Sequence, residues 1–149
     1  MQLLPLLANL PLLVLSSNKI SDREHFVLQT SAFGARNIKI DSNGNLAVAG
    51  NGEAAFKFYF LNGHLHDARG HGEWHAFINS ESQITFSPSH AADNFGISPS
   101  GLLKHPPIGD TNYHVYGKDR TIYTKAGEFN NEPTVFDLVV VAQLNSSPE

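Results

Sequence analysis

The sequence predicts an all-β chain, specifically a β-trefoil of three four-stranded units of about 38 residues, with an antiparallel β-sandwich as the alternative. Three observations predict it. The apolar runs are short, aromatic or β-branched, and bounded by Gly, Asn, Ser, Asp or Pro. No stretch keeps a helical period over the length that a helix needs. Apolar residues also recur at one fixed spacing through the chain.

That spacing is 38 residues. Leu46, Ile84 and Ile122 follow it, as do Ile40, Ile78 and Tyr116. So do Val27, Leu65, Leu103 and Val141, then Tyr59, Ile97 and Val135, and the glycines Gly63 and Gly101. One such set arises easily by chance; five at a single offset do not. Three copies of a four-stranded unit close a six-stranded barrel, and three hairpins cap one end. Closure removes the sheet edges that invite aggregation. It also brings the first strand, near Val27, to the last, near Val141, which explains why "VFDLVVVAQ" is so apolar.

The elements fall in order along the chain. Strands are predicted near 25–30, 36–41, 45–49 and 56–60 in the first unit. The second holds 63–67, 74–79, 83–87 and 94–98, and the third 101–105, 112–117, 121–125 and 134–142. "DSNGN" at 41–45, "NSESQ" at 79–83 and "GKDRT" at 117–121 take equivalent hairpin turns. Asn43-Gly44 is the strongest of these signals, because both residues tolerate positive φ. "LNGH" at 61–64 and "PSGL" at 99–102 form a second equivalent pair. Residues 25–142 are thus one domain, and 143–149 a polar tail.

The N-terminal stretch "MQLLPLLANLPLLVLSS", residues 1–17, has the length of a signal-peptide core with small residues at its end. Pro5, Pro11 and the lack of a basic start leave open a segment that packs on the domain. The expected location is secreted or wall-associated, or intracellular if this run is not a signal. It is too short and too proline-broken to span a membrane. Asn145-Ser146-Ser147 is a glycosylation acceptor pattern for a secreted chain.

Composition narrows the function. A formal charge of −4 and no basic run argue against a nucleic-acid partner. The chain has no cysteine, so disulfides, thiolate catalysis and cysteine-ligated zinc are excluded. No nucleophile elbow, zinc-protease helix or P-loop is present. The acids Asp41, Glu53, Asp67, Glu73, Glu81, Asp93, Asp110 and Asp119 sit mostly in predicted turns, where side-chain to backbone hydrogen bonds favour them. The expectation is therefore no enzyme and no cofactor.

The densest chemistry lies in "NGHLHDARGHGEWHAF", residues 62–77. It reads as a strand, a loop and a strand of the second unit. Alternation puts His64 and His66 on the face opposite Leu65, pointing outward. An outward His-x-His pair can hold a metal, with His71 or His75 as a third ligand, or can simply be a solvated pair of strands. His75 aligns with Tyr113 and reads also as a partly buried hydrogen-bonding residue. Trp74, with Asp67, His71 and Glu73 in the adjoining loop, forms a candidate sugar-stacking site. Only this one site is expected, because equivalent polar positions drift between units.

The segments "HFVLQTSAFGARNIKIDSNGNLAVAG", "FKFYFLNGHLHD", "NFGISPSGLLKH", "RTIYT" and "FDLVVVAQ" taken in order resemble the fungal cell-wall protein group of PhiA-like proteins and Cwp- and Pir-type mannoprotein domains. The resemblance spans roughly residues 25–142, although its motifs are short. Members often carry paired cysteines, which this chain lacks. The resemblance implies a secreted, non-catalytic structural domain of the wall; the candidate stacking site makes a cell-wall polysaccharide the partner to test. A lectin-like trefoil module is the alternative function, and metal binding by the histidine cluster a weaker one.

Overall fold

Chain order places eleven strands, all antiparallel, and no helix among the described residues. The structure, a computed structural model, describes residues 20–32, 34–69, 74–109, 111–127 and 132–143. The expected signal segment 1–17 and Asn145 lie outside them.

The strands are β1 (Phe26–Thr30), β2 (Ile38–Ile40), β3 (Leu46–Val48), β4 (Phe58–Leu61), β5 (His64–Asp67), β6 (His75–Ile78), β7 (Ile84–Ser87), β8 (Gly96–Ile97), β9 (Leu103–Lys104), β10 (Asn112–Tyr116) and β11 (Pro133–Ala142). Eleven of the twelve expected strands therefore appear within a few residues of their predicted bounds. The twelfth, near 121–125, is reduced to bridges from Thr121 to Ala47 and from Tyr123 to Gln83 and His114.

Seven strands form one curled sheet in the order β10-β11-β1-β4-β5-β6-β7, and β2-β3 and β8-β9 form separate hairpins. The first and last strands pair as expected, with Val27 opposite Val141. The β8-β9 hairpin spans the gap between β5 and β11. The His64–Asn94 bridge holds one side and the Leu102–Val139 bridge the other.

The three hairpins β2-β3, β6-β7 and β10 with its return to Tyr123 meet through their third strands. Asn45 bridges Thr85, Gln83 bridges Tyr123, and Thr121 bridges Ala47. Each bridge maps onto the next by a step of 38 residues, returning to the first unit at the last. The same step relates three backbone hydrogen bonds: Phe86 N–H to Gly44 O (2.9 Å), Thr124 N–H to Ser82 O (2.7 Å) and Val48 N–H to Arg120 O (2.8 Å).

The turns obey the chemistry read from their residues. Asp41 Oδ1 accepts from the N–H groups of Asn43 and Asn45, at 2.9 and 3.0 Å. Asn79 Oδ1 does the same for Glu81 and Gln83, at 2.9 and 3.0 Å. In the third unit the equivalent residue is Gly117, with no side chain to accept. Asp119 takes over and receives the Thr121 N–H at 2.9 Å. Gly44 adopts φ +84°, a left-handed conformation that a side chain makes costly.

The core sits inside this curl. Leu46, Ile84 and Ile122 are fully buried, as are Leu65 and Leu103. Phe26, Leu28, Phe58 and Leu138 join them, each stabilising the fold by about 1.5–3 kcal/mol through side-chain burial. Two of the repeated positions behave differently. Val135 is 51% exposed and pairs with His114 in β10. The third unit carries extra chain before β11, so the step from Tyr59 and Ile97 falls short of the closing pairs, which begin at Leu138. Val141 consequently pairs with Val27 and does not repeat it.

Leu65→Ala is expected to lower the unfolding free energy by about 2–5 kcal/mol, because the site is fully enclosed and a cavity remains. Urea denaturation followed by tryptophan fluorescence measures it. A second expectation concerns alkaline pH. Burial, with the Asp137 carboxylate adding repulsion, pushes the Tyr113 phenol well above its usual range. Its hydroxyl donates to Leu103 O at 3.1 Å. The contribution is fully present below about pH 10, where the unfolded phenol is still protonated, and is lost as the pH rises further. Melting curves taken across that range should fall less steeply with pH for Tyr113→Phe than for the unsubstituted protein.

Candidate functional site

The expected sugar-stacking residues begin where β5 ends. Asp67 is its last residue, and its side chain is buried against the sheet. The Asp67 N–H donates to Trp74 O at 3.1 Å, which fixes Trp74 at the entry to β6. The two residues therefore meet although a loop separates them in sequence. His71 and Glu73 lie outside the described residues.

A buried carboxylate requires a partner, and Arg69 supplies one. Its Nη2 lies 2.9 Å from Asp67 Oδ2, its Nε lies 3.2 and 3.3 Å from the two oxygens, and its backbone N–H donates to Oδ1 at 3.0 Å. The guanidinium also lies over the Phe56 ring, 4.1 Å from its centre. One planar cation is thus clamped from the carboxylate side and the aromatic side.

These groups wall a cleft of about 490 Å³. Its other wall comes from Ile40 and the turn Asp41–Gly44 of the first unit, with Phe86 of β7 beside them. Trp74 stands at the mouth, 43% exposed. An open indole face beside fixed polar groups suits a ligand with one flat apolar face and a rim of hydroxyls. The two acids of the cleft are already engaged. Arg69 occupies both oxygens of Asp67, and two turn N–H groups occupy Oδ1 of Asp41.

The histidines are arranged differently from the expectation. His64 and His66 do share the face opposite Leu65, and Leu65 is in the core. His66, however, is only 8% exposed rather than outward in solvent. Its register partners explain this. Tyr59 on β4 and His75 on β6 flank it on the same face. The Tyr59 and His66 rings stack with centres 4.9 Å apart, and His75 meets His66 edge-on at 6.0 Å. His75 is half-buried, and its Nε2 contacts the His90 carbonyl, in line with a hydrogen-bonding role. His90 in turn stacks on Phe77, at 4.3 Å. Among the described residues, no three His, Asp or Glu side chains gather in a way that could hold a metal ion. Packing between aromatic rings organises the described part of this face, and His71 lies outside it.

Arg69 and the Asp41–Gly44 turn escaped sequence reasoning. The signal for Arg69 was available in the Asp-x-Arg spacing after a strand. The turn belongs to another unit, and nothing local in the sequence joins it to Trp74.

No family model, curated protein or solved structure matches the chain. Among the described residues no helix is long and apolar enough to cross a membrane.

Replacing Arg69 by methionine keeps much of the contact with Phe56 but strands the buried Asp67 carboxylate. The expected loss is about 1–3 kcal/mol, smaller than for a fully buried pair because the guanidinium is itself half exposed. The double variant Arg69→Met, Asp67→Asn should recover part of it, which a double-mutant cycle in urea resolves.

Proposed function

We propose that the protein is a non-enzymatic, secreted β-trefoil of the fungal wall or cell surface, and that the Trp74 cleft holds a neutral polysaccharide there. The single observation that carries the binding role is Trp74, half exposed over a cleft whose polar groups are already fixed by Asp67 and Arg69. A preorganised site of this kind loses little side-chain freedom when a sugar docks. Engagement of both cleft acids supports binding over hydrolysis, since a glycosidase needs carboxyl groups available to carry protons.

Two features support the trefoil. The three hairpin bridges repeat at the same step. The β8-β9 hairpin also ties β5 to β11, as a closed six-stranded barrel requires. The wall location rests on the ordered resemblance of residues 25–142 to fungal wall proteins and on the signal-like residues 1–17.

Sedimentation of the protein with insoluble β-glucan, chitin and whole fungal wall tests the function. Retention by at least one of them is expected, weakened tenfold or more in Trp74→Ala with the melting temperature unchanged. Retention by none would leave a wall structural role without glycan binding. Retention indifferent to Trp74 would move the site elsewhere.

A further inference from the structure

A second cleft lies one unit away from the Trp74 cleft in the 38-residue frame. Arg36 stands where Trp74 stands, Val48 where Phe86 stands, and the turn Gly117–Arg120 where Asp41–Gly44 stands. These residues line a cleft of about 300 Å³ together with Val115. The architecture is the same, but the chemistry has changed sign. Serine and glycine of the first turn are replaced by Lys118 and Arg120, and the indole by a guanidinium.

We propose that this cleft is a binding site for a phosphate or sulfate ester group. Three of the chain's ten lysines and arginines converge on it, in a protein whose formal charge is −4. Among the described residues none of the three forms an ion pair. The ion pairs there are Lys39 with Glu53 and Arg69 with Asp67. The one acid in the lining, Asp119, is turned to other work: Oδ1 accepts the Thr121 N–H and Oδ2 the Tyr123 hydroxyl. Glu53 approaches Arg120 near Gly50, yet its carboxylate is engaged by the Gly50 N–H and by Lys39 Nζ.

Arg36 and the backbone of the turn that carries Lys118 and Arg120 are held in place by the fold. Arg36 Nη1 donates to Ala49 O at 3.4 Å, and its backbone N–H donates to Thr30 Oγ1 at 3.1 Å. The Arg120 carbonyl is fixed by Val48 N–H, so the turn cannot drift from the cleft wall. Arginine forks match tetrahedral oxyanions, and a concave cationic surface concentrates anions more than a flat one. Val48 and Val115 add an apolar floor that a bare ion does not need but a sugar ring could use.

The site is separate from the Trp74 cleft and does not depend on the glycan role proposed there. Titration by ¹H–¹⁵N NMR with inorganic phosphate, inorganic sulfate, glucose 6-phosphate and, as a neutral control, glucose tests it. Saturable shifts centred on residues 36, 48 and 115–120 are expected for the anions and absent for glucose. Affinity should fall tenfold or more in Lys118→Ala, Arg120→Ala, and with rising salt, but not in Trp74→Ala. Both replaced side chains are exposed, and the melting temperature should be retained. Equal affinity for phosphate and its ester would identify the ion itself as the ligand. Tighter ester binding would identify a phosphorylated or sulfated sugar. No saturable binding of any anion, or binding indifferent to both cationic substitutions, would overturn the proposal.

Discussion

Pairing of the first strand with the last is the constraint on which the structure depends. β1 and β11 are at opposite ends of the domain in sequence, yet they share a five-residue register from Phe26–Ala142 to Thr30–Leu138. Side chains tie the same seam. Ser31 Oγ accepts the Asp137 N–H at 2.8 Å across 106 residues of chain. Without this seam Phe26, Leu28, Leu138 and Val140 lose their common interior, and the sheet is left with open edges. The entropy of closing so long a loop must be met before these contacts form, so the fold belongs with the slow, non-local all-β class.

β11 also shows how one element serves two roles. Its first half pairs with β10 and its second half with β1. Burial alternates across the change of partner, with Phe136 in the core beside the β10 half. Thr134 and Val135 face solvent, while Leu138 and Val140 enter the core. A valine-rich strand of ten residues would be an aggregation hazard at an edge. Here every residue is paired along at least one side, Pro133–Asp137 with β10 and Leu138–Ala142 with β1, and Leu102 adds a bridge to Val139.

The strand positions were legible because alternation and turn residues are local signals. Asp41 and Asn79 are read correctly from composition, since each side chain closes its own turn. The core residues Leu46, Ile84 and Ile122 were legible for a related reason: they are apolar at one spacing, and all three are fully buried. What escaped lay between units. Extra chain before β11 shifts the third unit, so periodicity misplaces Val135. The burial of His66 depends on Tyr59 and His75, which reach it only through sheet register. The Trp74 cleft needed the turn of a neighbouring unit, which no local spacing announces.

The interior and the clefts answer to different pressures. Where the hairpins meet, Thr85 Oγ1 donates to Asn45 and Gln83 Nε2 to Tyr123, so neighbouring hairpins share polar side-chain contacts at two of the three junctions. A substitution there is felt by two hairpins at once. The cleft walls share that seam through their backbones, Gly44 with Phe86 and Arg120 with Val48, but the side chains at their rims do not. Trp74 and Arg36 occupy equivalent positions, yet each makes its contacts with solvent or with its own neighbours. Such positions can diverge from indole to guanidinium without disturbing the seam below. Two clefts at one sequence offset thus carry unlike surfaces, and the chemistry of each is read from its own residues.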